Sequence, residues 1–146
     1  MTLKTVGILG GGQLGLLLSQ SVVKLGGATA VFDPDKDAPL HRHCAKSFAY
    51  PFNNSGQLRA FRDASDVITY EFEHLPVEIL QALKDANVSP DFRPNLRALA
   101  VAQDRLTEKL YLRDNNFPLA DFVELLGDSW PEDLKAFGLP CMVKTV

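Results

Sequence analysis

Thr5-Val6-Gly7-Ile8-Leu9-Gly10-Gly11-Gly12-Gln13-Leu14-Gly15 is the stretch that decides how this chain reads. A short apolar run passes straight into glycines at 10, 12 and 15, and an amphipathic segment follows. That order predicts a strand, a tight turn and a helix N-terminus. Gly10 permits the turn, Gly12 lets a ligand approach the backbone, and Gly15 lets the helix sit against the sheet. The unpaired N–H groups and the dipole at the helix start attract negative charge. A lone G-x-G-x-x-G has little specificity. Flanked by a strand and a helix, it points to a doubly wound nucleotide-binding unit.

The segment after the loop has helical periodicity in Leu14, Leu17, Leu18, Val22 and Leu25, and Gly26-Gly27 ends it. Ala28 to Phe32 reads as a second buried strand that closes at Asp33-Pro34. Asp33 has two readings. It lies about 18 residues beyond Gly15, near the spacing at which dinucleotide-binding units place a ribose-holding acid. It is equally suited to cap the turn Asp33-Pro34-Asp35-Lys36-Asp37.

Further along, 38–45 predicts a short irregular helix, 47–50 a short strand, and 57–63 a short helix. Val67-Ile68-Thr69-Tyr70 is β-branched and aromatic, as a fourth strand would be. Pro76 suits the first turn of a helix carrying Val77, Leu80 and Leu83, and 87–90 reads as a short strand or turn. Strands alternating with helices predict an α/β fold, a Rossmann-like parallel sheet with helices on both faces. From Asn95 to Asn115 the pattern is mostly helical, and we place a domain boundary after Asn116. Phe122–Leu125 reads as a strand. Asp128 or Ser129 caps a helix with Pro131 in its first turn, and Leu139–Val146 starts another strand. The chain ends inside that strand, so we expect residues 117–146 to be the incomplete beginning of a second domain.

Composition excludes several classes. The 146 residues are 46% hydrophobic and 23% charged, with a formal net charge of -3. There is no basic patch suited to nucleic acid and no apolar run long enough for a membrane, and with the first strand starting almost at once we expect no leader segment. Cys44 and Cys141 lie far apart and form no disulfide framework. A cytoplasmic protein is expected.

Glu71 and Glu73 follow the fourth strand, at the edge where open α/β sheets bind ligands. Residues two apart in extended backbone point the same way, so both carboxylates can face one crevice and hold an amine or a hydroxyl. Alternatively, one caps the next helix and the other is solvated. His41, His43 and Cys44 invite a metal reading, but the spacing does not share a helix face and no second ligand cluster accompanies them. We assign no metal site. Arg105 and Lys109 lie one helical turn apart, facing either an anion or, with Glu108, solvent. Lys144 is either an edge-strand residue or one aimed at a phosphate.

Three of these segments, 7–15, Thr69-Tyr70-Glu71-Phe72-Glu73-His74-Leu75-Pro76, and Gln103-Asp104-Arg105-Leu106-Thr107-Glu108-Lys109, together resemble the N-terminal part of the N5-carboxyaminoimidazole ribonucleotide synthetase family. Its members are ATP-grasp ligases of purine biosynthesis, also known as the ATPase subunit of phosphoribosylaminoimidazole carboxylase. The resemblance covers essentially the whole chain. It implies a pre-ATP-grasp substrate-binding domain over 1–116 and the start of an ATP-grasp domain over 117–146. It also implies that the glycine loop holds a ribose phosphate, with Gly12, Gln13, Leu14 and Glu71 near aminoimidazole ribonucleotide and Glu73 in support. Arg105 and Lys144 match ATP-binding positions. ATP and bicarbonate would give carboxyphosphate, which carboxylates the exocyclic amine, with Mg2+ required and a homodimer as the usual assembly. The family's phosphate lid and metal-binding acids match nothing in 1–146, so no catalytic residue is assigned and the chain alone is expected to be inactive.

Two other enzyme readings compete. An NAD-dependent dehydrogenase is supported by the glycine loop and Asp33. A sibling ATP-grasp enzyme, such as the formate-dependent glycinamide ribonucleotide transformylase, is disfavoured by Gln13 and by Tyr70-Glu71-Phe72-Glu73. A non-catalytic binding module is the third possibility.

Overall fold

The computed structural model describes residues 4–71, 75, 76, 79 and 91–144. Among them, five parallel strands form one sheet: β1 (Thr5–Leu9), β2 (Ala28–Phe32), β3 (Lys46–Phe48), β4 (Val67–Tyr70) and β5 (Asp91–Phe92). Their order is β3-β2-β1-β4-β5. The chain therefore builds outward from β1 on one side and then returns to its other side, as doubly wound sheets do. Helix α1 (Gln13–Lys24) connects β1 to β2, and α2 (Ser55–Asp63) connects β3 to β4.

The alternation of side chains along each strand assigns the two faces. Val6, Ile8 and Val31 pack with Leu16 of α1, with Cys44 and with Leu40 from the 3-10 turn Pro39–Arg42. Thr29 lies on that side too, its hydroxyl 2.8 Å from that of Ser19 in α1. On the other face Phe32 meets Phe61 of α2 edge-on at 5.7 Å and stacks on Phe48 and Phe52. Gly7 lies beneath α2, where a Cβ would run into Phe61 and Ser65. Buried on both faces, β1 and β2 read as continuous apolar runs, as central parallel strands do.

Helix α1 departs from the periodicity expected of it. The leucine stripe does not face the core: Leu14 is 64% exposed and Leu25 89%. The buried row is Gly15 and Ser19. A Cβ on Gly15 would lie 2.7 Å from the Gly10 carbonyl oxygen, so the helix sits too close to the sheet for leucine in that row. Ser19 is tolerated there because Thr29 satisfies its hydroxyl.

The chain divides into two compact units, Met1–Leu96 and Arg97–Val146. The expected long helix is two helices, α3 (Leu96–Ala102) and α4 (Arg105–Asp114). The break falls where the Asp104 side chain accepts the Thr107 N–H at 2.6 Å and starts α4 afresh. Helix α5 (Trp130–Phe137) follows with Pro131 in its first turn and ends at Gly138, whose φ of 93° suits glycine. Ser129 sits at its N-cap, but its hydroxyl binds the Asp133 carboxylate instead of a backbone N–H. The strands expected over Phe122–Leu125 and from Leu139 are not formed in the described residues. An extended segment becomes a strand only with a hydrogen-bonded neighbour, and among the described residues neither segment has one. The helix expected at Val77, Leu80 and Leu83 and the turn at 87–90 lie outside the described residues.

The Asp104 cap carries a pH dependence. The hydroxyl and amide of Thr107 hold its carboxyl below the ordinary carboxylate range. A lowered folded-state pKa means the cap stabilises α4 above the unfolded value and is lost as pH falls through the lower, folded one. In an acid titration followed by NMR, the Thr107 amide proton is expected to shift with a midpoint below that of an ordinary aspartate. A midpoint at or above the ordinary value would show the cap contributes nothing.

Candidate functional site

The sheet register builds the site. Leu9 pairs with Phe32 on one side and with Tyr70 on the other. The next residue of each strand is therefore Gly10, Asp33 or Glu71, in one row along the C-terminal edge. The reversal of strand order falls between β1 and β4, the place where open α/β sheets open a crevice.

Gly10 extends the pairing, its N–H reaching the Phe32 carbonyl at 3.0 Å, and then turns with φ of 99°. That conformation is why glycine stands there. The Gly11 N–H donates to Asp33 Oδ2 at 2.6 Å, and the Gly11 carbonyl accepts the Leu40 N–H at 2.9 Å. The Gly12 N–H donates to Glu71 Oε2 at 2.8 Å. The Gly12 carbonyl accepts the Leu16 N–H at 3.0 Å, the first helical bond of α1. Glu71 is itself anchored, its N–H on the Leu9 carbonyl at 2.9 Å.

Two carboxylates thus flank the loop and occupy the N–H groups of Gly11 and Gly12. The surface suited to an anion begins one residue later. Helix α1 has no side-chain cap and no acid in its first turn, and Gln13 and Leu14 are exposed at its tip. Their N–H groups have no intrahelical acceptor and lie at the positive end of the helix dipole.

Of the residues singled out in the sequence, Gly12, Gln13, Leu14 and Glu71 come together here. Glu73 lies outside the described residues. Arg105, in the first turn of α4, and Lys144 belong to the second unit, and both are exposed. Lys109, one turn beyond Arg105, is turned over the Phe122 ring, 5.7 Å from its centroid. Neither of the two readings given to it in the sequence included that aromatic contact.

Asp33 is the residue whose full role sequence reasoning missed. One oxygen accepts the Asp35 N–H at 2.8 Å, the turn cap foreseen. The other holds Gly11, a partner 22 positions away that no local spacing announces. Each oxygen of Asp33 thus already accepts one backbone N–H. His41 is likewise committed, one ring nitrogen 2.7 Å from Ser47 Oγ and the other 3.2 Å from the Asp33 carbonyl oxygen. Burial pushes the Cys44 thiol pKa up, which keeps it protonated. Among the described residues, no group of three or more His, Cys, Asp or Glu side chains is arranged to hold a metal ion. No helix among them is long and apolar enough to cross a membrane.

Comparison with known proteins identifies the family and the fold. A family model described as ribonucleotide synthetase preATP-grasp domain matches residues 3–103. The N5-carboxyaminoimidazole ribonucleotide synthase of Aquifex aeolicus (strain VF5) is 38% identical over 140 residues, 96% of this chain and 36% of the relative. The crystal structure of N5-carboxyaminoimidazole synthetase from Staphylococcus aureus complexed with ADP superposes with a TM-score of 0.81. It is 31% identical and covers 97% of this chain and 38% of that one. The N5-carboxyaminoimidazole synthase from Aspergillus clavatus, in complex with ADP and 5-aminoimidazole ribonucleotide, gives a TM-score of 0.69 at 29% identity. That match covers 86% of this chain and 33% of the other. The chain spans little more than a third of the length of the curated relatives it matches.

Proposed function

Because the chain belongs to the ribonucleotide synthetase preATP-grasp domain family, we propose that its first unit captures aminoimidazole ribonucleotide for an ATP-dependent carboxylation. The observation that carries this reading is the contact between Gly12 and Glu71, which joins a helix tip suited to a phosphate with an acid suited to an amine or a hydroxyl. In this reading the 5′-phosphate docks on the exposed N–H groups of Gln13 and Leu14. The Glu71 carboxylate leaves Gly12 and takes a polar group of the ribonucleotide. Glu73 is proposed to assist it. The relative from Aspergillus clavatus, whose structure holds ADP and 5-aminoimidazole ribonucleotide, supports the choice of ligand.

For the whole protein we propose the synthesis of N5-carboxyaminoimidazole ribonucleotide from that substrate and bicarbonate, as the relatives' names suggest. ATP, when bound, supplies the phosphoryl activation that such a carboxylation needs. Arg105 and Lys144 are the residues proposed to meet it, as cations suited to phosphate oxygens. Among the described residues no group of three or more His, Cys, Asp or Glu side chains offers a ligand set for Mg2+. A homodimer, a cytoplasmic setting and the division into 1–116 and 117–146 are part of the same proposal. The dehydrogenase reading is not retained, because residues 3–103 match the ribonucleotide synthetase preATP-grasp domain.

Calorimetric titration tests this. The chain is expected to bind aminoimidazole ribonucleotide saturably and its dephosphorylated riboside about 30-fold more weakly, the contribution of a charge-assisted phosphate site. NADH is expected not to bind. Saturable NADH binding with no response to the ribonucleotide would return the chain to the dehydrogenases.

A further inference from the structure

We propose that Asp33 is a positioning residue for substrate binding: it touches no ligand, and it holds the glycine loop in the shape that presents the α1 tip to the phosphate. The inference rests on the functional reading above for its ligand, though not for its geometry.

Asp33 is held through both side-chain oxygens and both backbone polar atoms. Its N–H reaches the Phe48 carbonyl at 3.2 Å, tying it to β3. Its carbonyl lies 3.2 Å from His41 Nε2, and His41 is in turn braced by Ser47 on that strand. Oδ1 takes the Asp35 N–H and Oδ2 the Gly11 N–H. The carboxylate is therefore a rigid part of the sheet edge, and what it holds is the middle of the loop. The Gly11 peptide is gripped at both ends, by Asp33 at its N–H and by Leu40 at its carbonyl. A Cβ on Gly11 would lie 3.2 Å from the Asp33 Cβ and 3.0 Å from that of Ala38, so the residue is boxed in as well as bonded. The next residue, Gly12, is the N-cap of α1. Fixing Gly11 fixes the direction from which the helix starts, and with it the aim of the Gln13 and Leu14 N–H groups.

Charge and positioning predict opposite signs. A negative carboxylate beside an anion site opposes phosphate binding, so if charge dominated, removing it would tighten the complex. If Asp33 acts by holding the loop, removing it weakens the complex, because the anchoring cost then falls on the ligand.

The test compares Asp33→Ala and Asp33→Asn with the unmodified chain, with aminoimidazole ribonucleotide and its riboside as probes. For Asp33→Ala the ribonucleotide Kd is expected to rise about tenfold, as when one charged hydrogen-bond acceptor is lost, with the riboside Kd changed less than about twofold. Asp33→Asn keeps one carbonyl oxygen and should fall between. Without ligand, amide hydrogen exchange at Gly11 should quicken in both variants. Unchanged or tighter ribonucleotide binding, or equal loss for both probes, would overturn the positioning role. If the unmodified chain binds no ribonucleotide, the functional reading fails and Gly11 exchange alone judges Asp33: unaltered exchange refutes the anchor.

Discussion

Gly12→Val is expected to lower affinity for aminoimidazole ribonucleotide about 100-fold while leaving the melting temperature within about 3 °C of the parent. The backbone at Gly12 has φ of -70° and ψ of -163°, extended geometry open to any L residue, so the substitution brings no backbone strain. The effect is local crowding. A Cβ at this position would stand 2.6 Å from Glu71 Oε1 and 3.1 Å from Oε2. A carboxylate at the end of a flexible side chain yields to a methyl group, so Gly12→Ala should cost only about tenfold. The two γ-methyl groups of valine would cover the space beside Glu71 into which the ribonucleotide must come. Titration of both variants checks this, with thermal denaturation as the control. Valine at position 12 with parental affinity would mean that the ligand does not approach the loop at all.

Phe32→Ala has the largest expected effect on stability, about 3–5 kcal/mol for an aromatic removed from a packed core. Phe32 is fully buried, and its ring meets Phe61 edge-on and stacks on Phe48 and Phe52. It joins elements brought in by three different segments: β2 itself, the edge strand β3 and helix α2. Truncation leaves a cavity that the surrounding rings cannot close without shifting β3. The carbonyl of Phe32 also receives the Gly10 N–H, so a disturbed β2 end is passed to the loop. Chemical denaturation is expected to show the full loss, with the melting temperature lowered by about 15 °C or more. Phe32→Leu should cost less than half as much, because it keeps most of the volume. A loss under about 1 kcal/mol for the alanine variant would show that this face is not the core.

The elements that set the fold were legible because each is written in a short window. Leu9 into Gly10 marks a strand feeding a turn, Asp33-Pro34 and Tyr70-Glu71 mark strand ends, and Gly26 and Gly138 mark helix ends. Places where expectation failed share one cause, a dependence on distant partners. The residues from Phe122 and from Leu139 have strand-like composition, yet strands require neighbours that composition does not name. In α1 the apolar periodicity was visible, but the row facing the sheet was the one with Gly15 and Ser19. Periodicity shows that a stripe exists; closeness of approach decides which row is covered.

By itself, the amino-acid order determined the strand-loop-helix opening, the doubly wound succession of elements, and an acid at the end of each strand that flanks β1. Those are local matters of backbone freedom, side-chain branching and apolar spacing. Only the folded chain decided that Asp33 and Glu71 arrive on either side of one loop and grip successive N–H groups, Glu71 from 59 positions away. The physical reason is register: Leu9, Phe32 and Tyr70 align across three strands, and that alignment comes from packing the whole sheet between its helices, a quantity no stretch of the chain contains.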